Sequence, residues 1–285
     1  MTQAFTVRSL LQWARDWLAK KGVEKPRLDA ELLLASALGC DRVRLYVDAD
    51  KPLGASELAR FKPLIQRRGA REPVAYILGS EEFYGRPFEV QKGVFIPRPE
   101  TELLVRLALE QVKEGAAVRA LDLCAGSGAV GITMAAERPL AQVDLVELSQ
   151  DAVAVAERNA QKHAPGRVRV LPGDLFAALP ERVRYDVITA NPPYVPTVHG
   201  HELAPEILDH EPHAALFAGE DGLSVIRRIA AGLPDWLRPG ATFVTEIDPS
   251  QGSAVAALLR DAGLVQVRVE RDLAGLERHV MGRGV

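Results

Sequence analysis

The sequence predicts an α/β protein: seven strands in a mostly parallel sheet with an antiparallel last strand, preceded by a small helical bundle. Three observations carry that expectation. Over residues 1–75 apolar residues recur at helical spacing. From Ala117 onward short β-branched runs alternate with amphipathic helical stretches, the order of a parallel sheet covered on both faces. The last two strands are joined only by Arg271 to Glu277, too short for a helical crossover, so they should pair antiparallel.

In chain order, Val7, Leu10, Leu11, Ala14, Trp17 and Leu18 define a first helix from Val7 to Lys20, with Trp13 and Trp17 expected to pack inward. A second runs from about Pro26 to Leu38, ended by Gly39. A third, capped near Ser56, carries Leu58, Phe61 and Ile65 on one face. Residues 76–99 change character, with short alternating segments, Glu82 to Val90 and Val94 to Ile96, broken by Gly85, Pro87 and Gly93, and read as a hairpin linker. Pro99 and Glu100 suit the first turn of the helix that opens residues 100–285. Strands then follow at Val118 to Leu123, Gln142 to Leu148, Val168 to Leu171, Tyr185 to Ala190, Thr242 to Ile247, Leu264 to Glu270 and Arg278 to Met281. Helices are expected at Ala129 to Glu137, Asp151 to His163, Gly222 to Gly232 and Gln251 to Ala262.

Composition bounds the function. At 285 residues, two domains are the prior, and 47% hydrophobic with 26% charged residues is ordinary for a soluble globular chain. A net charge of -3 gives no global field that recruits a polyanion, so nucleic acid is not the default partner. Cys40 and Cys124 lie far apart without metal-type spacing, which fits a reducing compartment. No apolar run approaches the roughly 20 residues that span a bilayer, and no signal-peptide layout opens the chain. A cytoplasmic setting without membrane contact is expected.

Chemistry concentrates at strand ends. Leu121 to Gly131 is a strand, a glycine loop and a helix, in which Gly126 and Gly128 let backbone approach a ligand and the helix N-terminus offers N–H groups to an anion. Gly126, Gly128 and Gly131 also satisfy the dinucleotide pattern, and Glu147 falls where a ribose-binding acid belongs, so the loop alone does not choose a cofactor. After the third strand, Asp174 is placed to take an exocyclic amine and Leu175 to pack on its ring. The fourth strand discriminates, because it stops at Asn191 before Pro192, Pro193 and Tyr194. Prolines cannot extend the ladder, and a side-chain amide beside a flat aromatic ring suits gripping a planar group that carries an NH2. A hydride-transfer enzyme would need a proton relay, and none ends this strand. Aligning a poor nitrogen nucleophile with an electrophilic methyl asks only for acceptors that orient its hydrogens, here the Asn191 side chain and the Pro192 carbonyl. His199, His201, His210 and His213 follow the turn with Glu202, Asp209 and Glu211 nearby, but their spacing is not that of a rigid metal site, and no metal is expected.

Asn191 to Tyr194, Asp122 to Gly128 and Pro97 to Leu104 together resemble the protein-glutamine methyltransferases that modify class I peptide release factors, the PrmC/HemK family. The resemblance extends to Tyr76–Gly79, Phe83–Gly85, Glu211–Pro212, Gly219–Leu223 and Asp272–Gly275. It implies a Rossmann-like class I methyltransferase domain and S-adenosylmethionine as donor. It also implies cofactor contacts from Cys124, Ala125, Gly126, Ser127, Gly128, Glu147, Asp174, Leu175 and Asn191. The glutamine of the factor's Gly-Gly-Gln loop would be held by Asn191, Pro192, Pro193 and Tyr194. Residues 1–75 would then recognise the release factor, the chain acting as a monomer. Cys124 departs from the glycine often found there, at little cost provided the residue keeps a negative φ. Relatives acting on a ribosomal protein carry a serine-proline variant of the Pro97 to Thr101 segment, so Pro99-Glu100-Thr101 favours the release-factor branch. A ribosomal-protein glutamine and the adenine amino group of nucleic acid are the rival substrates; the second lacks a basic or base-reading insertion here.

Overall fold

The computed structural model describes residues 5–180 and 183–285 and divides into two compact units, Met1–Gly79 with Ala204–His210, and Ser80–Leu203 with Glu211–Val285.

In the first unit α1 (Val7–Lys20), α2 (Pro26–Leu38) and α4 (Ala55–Gly69) pack around Leu10, Leu18, Leu33, Leu34, Phe61 and Ile65. The short helices α3 (Arg42–Val47) and α5 (Val74–Leu78) complete it. Thr6 caps α1 by accepting the Ser9 N–H, and Gly39, at φ 66, closes α2 in the left-handed region that glycine tolerates. The third helix is capped at Gly54 rather than near Ser56, with Glu57 accepting the Gly54 N–H at 2.8 Å. Trp13 is not in the core, being 43% exposed. The buried stripe of α1 is Val7, Leu10, Ala14 and Leu18, and Trp13 stacks on Trp17 at 6.0 Å outside it. Trp17 in turn lies over Gly69, where a Cβ would stand 2.0 Å from its ring.

The Ala204–His210 segment, which includes α9 (Pro205–Leu208), joins this unit through part-buried ion pairs. Arg68 donates to Asp29 at 2.6 Å and to Glu206 at 2.7 Å, and Arg71 reaches Glu206 at 2.5 Å.

The second unit opens with a hairpin, β1 (Ser80–Phe83) and β2 (Arg86–Glu89), turning at Tyr84 and Gly85. Val94 to Ile96 forms no strand; Val94 is instead buried against Ala152 and Val155 of α8 (Gln150–His163). Beyond it a 3-10 turn at Pro99–Thr101 leads into α6 (Glu102–Glu110). The sheet comprises β3 (Val118–Leu123), β4 (Ala141–Glu147), β5 (Val168–Pro172), β6 (Tyr185–Ala190), β7 (Leu237–Glu246), β8 (Val265–Arg271) and β9 (Glu277–Arg283). Their order is β5-β4-β3-β6-β7-β9-β8, and only the β9 pairings are antiparallel.

Alternation along the strands sorts side chains between two buried faces. Val118 and Ala120 of β3, Val143 and Leu145 of β4, Val187 and Val244 face α6, α7 (Ala129–Glu137) and α8. Leu121, Leu123, Ile188, Ala190 and Phe243 face α10 (Ser224–Trp236) and α11 (Gly252–Asp261). Because β4 and β5 lie on one side of β3 and β6 on the other, the chain reverses its winding between β3 and β6. Ligands of such sheets bind beyond the strand ends at that reversal.

Candidate active site

Register brings the predicted strand ends to one rim. Leu123 pairs with Val146 and with Ala190, Glu147 with Pro172, and Ala190 with Thr245, so the residues that follow these strands emerge side by side. The glycine loop after β3 and Asn191 after β6 flank the reversal point.

The loop is shaped by three alternate residues with positive φ. Cys124 has φ 56, in the left-handed region, so the expectation of a negative φ fails there. Gly126 (φ 56) and Gly128 (φ 82) share that region. At Gly126 nothing would meet a Cβ, so conformation is the requirement, whereas at Gly131 a Cβ would stand 2.3 Å from Leu145, and the helix could not pack on β4. Burial, and then the charge of Glu147, pushes the Cys124 thiol well above its usual range, leaving it an uncharged wall. Ser127 is buried, and its carbonyl accepts from the fully buried Asn159 at 2.9 Å, while Asn159 also exchanges hydrogen bonds with the Glu89 backbone at 2.8 and 3.1 Å. The Ala125 N–H donates to the Val146 carbonyl at 3.1 Å.

Two backbone N–H groups of the loop and the helix behind it are taken within the protein. The Gly126 N–H donates to Glu147 Oε2 at 2.8 Å, and the Gly131 N–H to Asp122 Oδ2 at 3.0 Å. Glu147 also accepts from the Ser149 N–H at 2.8 Å, which fixes its carboxylate while each oxygen keeps a further lone pair. Asp122 is 1% exposed and accepts from Thr189, its register partner on β6, at 2.8 Å. Burial pushes its carboxyl up to about 7, against the opposing pull of those two donors. Asp174 is held by Arg228 at 2.6 Å, and Leu175 is buried with φ 49.

Asn191 to Tyr194 lies at the end of the middle strand. Past the two prolines the chain pairs differently, the Val195 N–H donating to the Leu216 carbonyl at 2.9 Å and the Ala218 N–H to the Val195 carbonyl at 3.0 Å. The Tyr194 carbonyl accepts from Gln251 Nε2 at 2.9 Å and lies so near Gly222 that a Cβ there would be 2.1 Å away. The Tyr194 hydroxyl donates to Glu246 Oε1 at 3.1 Å; burial, with the Glu246 charge, raises its pKa far above the ordinary value, so it stays protonated. Asn191 Nδ2 donates to Thr101 Oγ1 at 3.2 Å, and Thr101 donates to Glu246 Oε2 at 2.7 Å. Arg98 pairs with the buried Glu211, which also accepts the Ile96 N–H at 3.2 Å. Sequence reasoning placed Thr101 in a helix entry and Glu246 in a strand. Their partnership with the turn spans 145 residues between the two and left no local signal. Among the described residues no group of three His, Cys, Asp or Glu is arranged to hold a metal ion.

A doubly wound sheet with a glycine loop at its reversal point and an antiparallel β9 is the fold of class I methyltransferases. The crystal structure of a methyltransferase from Pyrococcus furiosus superposes with a TM-score of 0.55 at 18% identity, covering 77% of this chain and 100% of that one. A T. thermophilus 16S rRNA methyltransferase in complex with AdoMet and guanosine superposes at 0.51 with 22% identity, covering 72% and 50% of the two chains. Residues 88–227 match the methyltransferase small domain family and residues 9–79 the PrmC N-terminal domain family. A release factor glutamine methyltransferase of Geobacter sulfurreducens is 43% identical over 281 residues, 99% of this chain and 98% of its own length. The chain belongs to the release factor glutamine methyltransferase family.

Proposed function

We propose that this protein transfers a methyl group from S-adenosylmethionine to the side-chain amide nitrogen of a glutamine in class I peptide release factors, the glutamine of their Gly-Gly-Gln motif. The observation that carries the reading is the position of Asn191 to Tyr194 after the middle strand β6, beside the glycine loop of β3. S-adenosylmethionine, when bound, supplies a methyl on a positively charged sulfur, already a strong electrophile. Cys124 to Gly128 would hold the donor. Glu147, oriented by two backbone N–H groups, would accept from its ribose hydroxyls. Leu148, 66% exposed at the same strand end, Asp174 and Leu175 would border its base.

The protein's work is on the acceptor nitrogen. A carboxamide nitrogen is a poor nucleophile because its lone pair is conjugated with the carbonyl. Asn191 Oδ1 and the Pro192 carbonyl accept its two hydrogens, hold it in line and favour the positive charge that develops as it attacks. Pro193 and the Tyr194 ring flank the flat amide. A proton leaves the nitrogen after transfer, so no strong general base is required. The helical unit grips the body of the release factor. No helix among the described residues is long and apolar enough to cross a membrane.

The test is mass spectrometry of a full-length release factor after incubation with the protein and S-adenosylmethionine. One methyl on the side chain of the motif glutamine is the expected product. Methylation of a ribosomal protein or of nucleic-acid adenine, with the release factor untouched, would replace this reading.

A further inference from the structure

We propose that Glu246 and Thr101 are positioning residues that fix which way the Asn191 carboxamide faces, so that its oxygen rather than its nitrogen meets the substrate. The assignment rests on the function proposed above and adds to it the residues that make Asn191 an acceptor.

An asparagine amide can turn over about its last bond, exchanging oxygen for NH2 with almost no change of shape. Only one of those faces can accept the hydrogens of a substrate amide. The Thr101 hydroxyl has a single hydrogen, and its oxygen lies 2.7 Å from Glu246 Oε2. An ionised carboxylate only accepts, so that hydrogen points at Glu246 and the Thr101 lone pairs point elsewhere. Asn191 stands 3.2 Å from the same oxygen. Presenting Oδ1 there would oppose two acceptors, whereas presenting Nδ2 makes a hydrogen bond. The carboxylate therefore dictates the hydroxyl, and the hydroxyl dictates the amide. Oδ1 is left turned away from Thr101.

The same carboxylate holds the other end of the turn, because Glu246 Oε1 accepts from the Tyr194 hydroxyl at 3.1 Å. One buried acid thus sets both polar groups of Asn191 to Tyr194. Glu246 is 2% and Thr101 3% exposed, so water does not compete for either. His279, fully buried, brings its Nε2 to 3.7 Å from Glu246 Oε2, beyond hydrogen-bonding distance. Glu246 ends β7, the ladder partner of β6, and Thr101 precedes α6, so two separate segments converge on the turn that follows β6.

The experiment measures single-turnover methylation of release factor, and S-adenosylmethionine affinity by calorimetry, in Thr101→Val, Thr101→Ser and Glu246→Gln. Thr101→Val keeps the shape and removes the hydroxyl, and should slow transfer by roughly 10- to 100-fold with cofactor affinity within about threefold. Thr101→Ser should restore the rate to within about threefold. Glu246→Gln can donate as well as accept, freeing the hydroxyl to turn, and should slow transfer by about tenfold or more. In an Asn191→Ala background Thr101→Val should add less than about twofold, since no amide remains to orient. A wild-type rate in Thr101→Val, a full additional loss in the Asn191→Ala background, or no rescue by serine would overturn the assignment. If Thr101→Val loses cofactor binding, the Glu246→Gln rate decides, and an unchanged rate refutes the relay. A wild-type protein that leaves the glutamine unmodified refutes the function reading instead.

Discussion

Cys124 shows how much a single residue can conceal. Its motif position is plain in the sequence, but its φ of 56 is not, since a glycine loop can be drawn with either sign at that residue. A side chain held in the left-handed region costs on the order of 1–2 kcal/mol, partly offset by the extra unfolded-state freedom of glycine. Cys124→Gly should therefore raise stability by up to about 1 kcal/mol in urea unfolding; a loss of stability would show that the side chain packs rather than strains. Asp122 carries a second hidden property. Its folded carboxyl, pushed up by burial to about 7 from an ordinary 3.8, keeps a proton that the unfolded chain has released. The stability it contributes is complete below pH 3.8 and is lost as pH rises through about 7, with a slope of at most about 1.4 kcal/mol per pH unit. Asp122→Asn retains an acceptor for Gly131 and should flatten the decline in melting temperature between pH 5 and 8; an unchanged slope would place the titration elsewhere. Neither residue's environment could be read from its neighbours, because burial at the meeting of β3, β6 and α7 is a tertiary property.

At the scale of elements the sequence was most legible where periodicity ran long. α1, α2, α7 and β3 begin and end where the apolar pattern and the glycines place them, and the proline pair at 192 and 193 does end β6. Shorter pieces were not legible. α3 and α5 have six and five residues, too few for a helical stripe to stand out, and Val94 to Ile96 alternates like a strand but packs as a buried loop. The return of Val195 against Leu216 to Ala218 was equally hidden, since a pairing of two bonds has no periodic signature. It explains why Gly222 matters, for its φ is 72 and its missing Cβ admits the Tyr194 carbonyl. Gly222→Ala forces that carbonyl aside, and should slow methyl transfer by about tenfold or more while leaving cofactor affinity within about threefold. An unaltered rate would mean that the turn tolerates the shift and is not held to a fixed geometry.

For the molecule as a whole, the sequence reads as three successive segments, 1–75, 76–99 and 100–285, whereas the compact units exchange chain three times because Ala204–His210 belongs with the helices. That excursion could not be foreseen: its tether is Arg68, whose partners Asp29 and Glu206 lie far along the chain in opposite directions. Burial holds the Asp29 carboxyl above its usual range even with Arg68 beside it. Arg68→Ala would leave Asp29 in the interior without its cation, while Glu206 keeps Arg71, and should cost about 3 kcal/mol by chemical denaturation. A loss under about 1 kcal/mol would show that solvent already screens the pair. The rim that carries the candidate site residues, by contrast, was mostly legible, because they lie at successive strand ends that a doubly wound sheet must bring together. What was missing were the buried groups behind it, Thr101 and Glu246.

The central claim is that the amide of Asn191 serves the acceptor nitrogen, not the fold or the donor. Single-turnover transfer to release factor by Asn191→Ala, measured together with S-adenosylmethionine affinity, tests it most directly. The rate should fall by about 100-fold or more while affinity stays within about threefold. A variant that methylates at close to the wild-type rate, or one that loses the donor as well, would contradict the account.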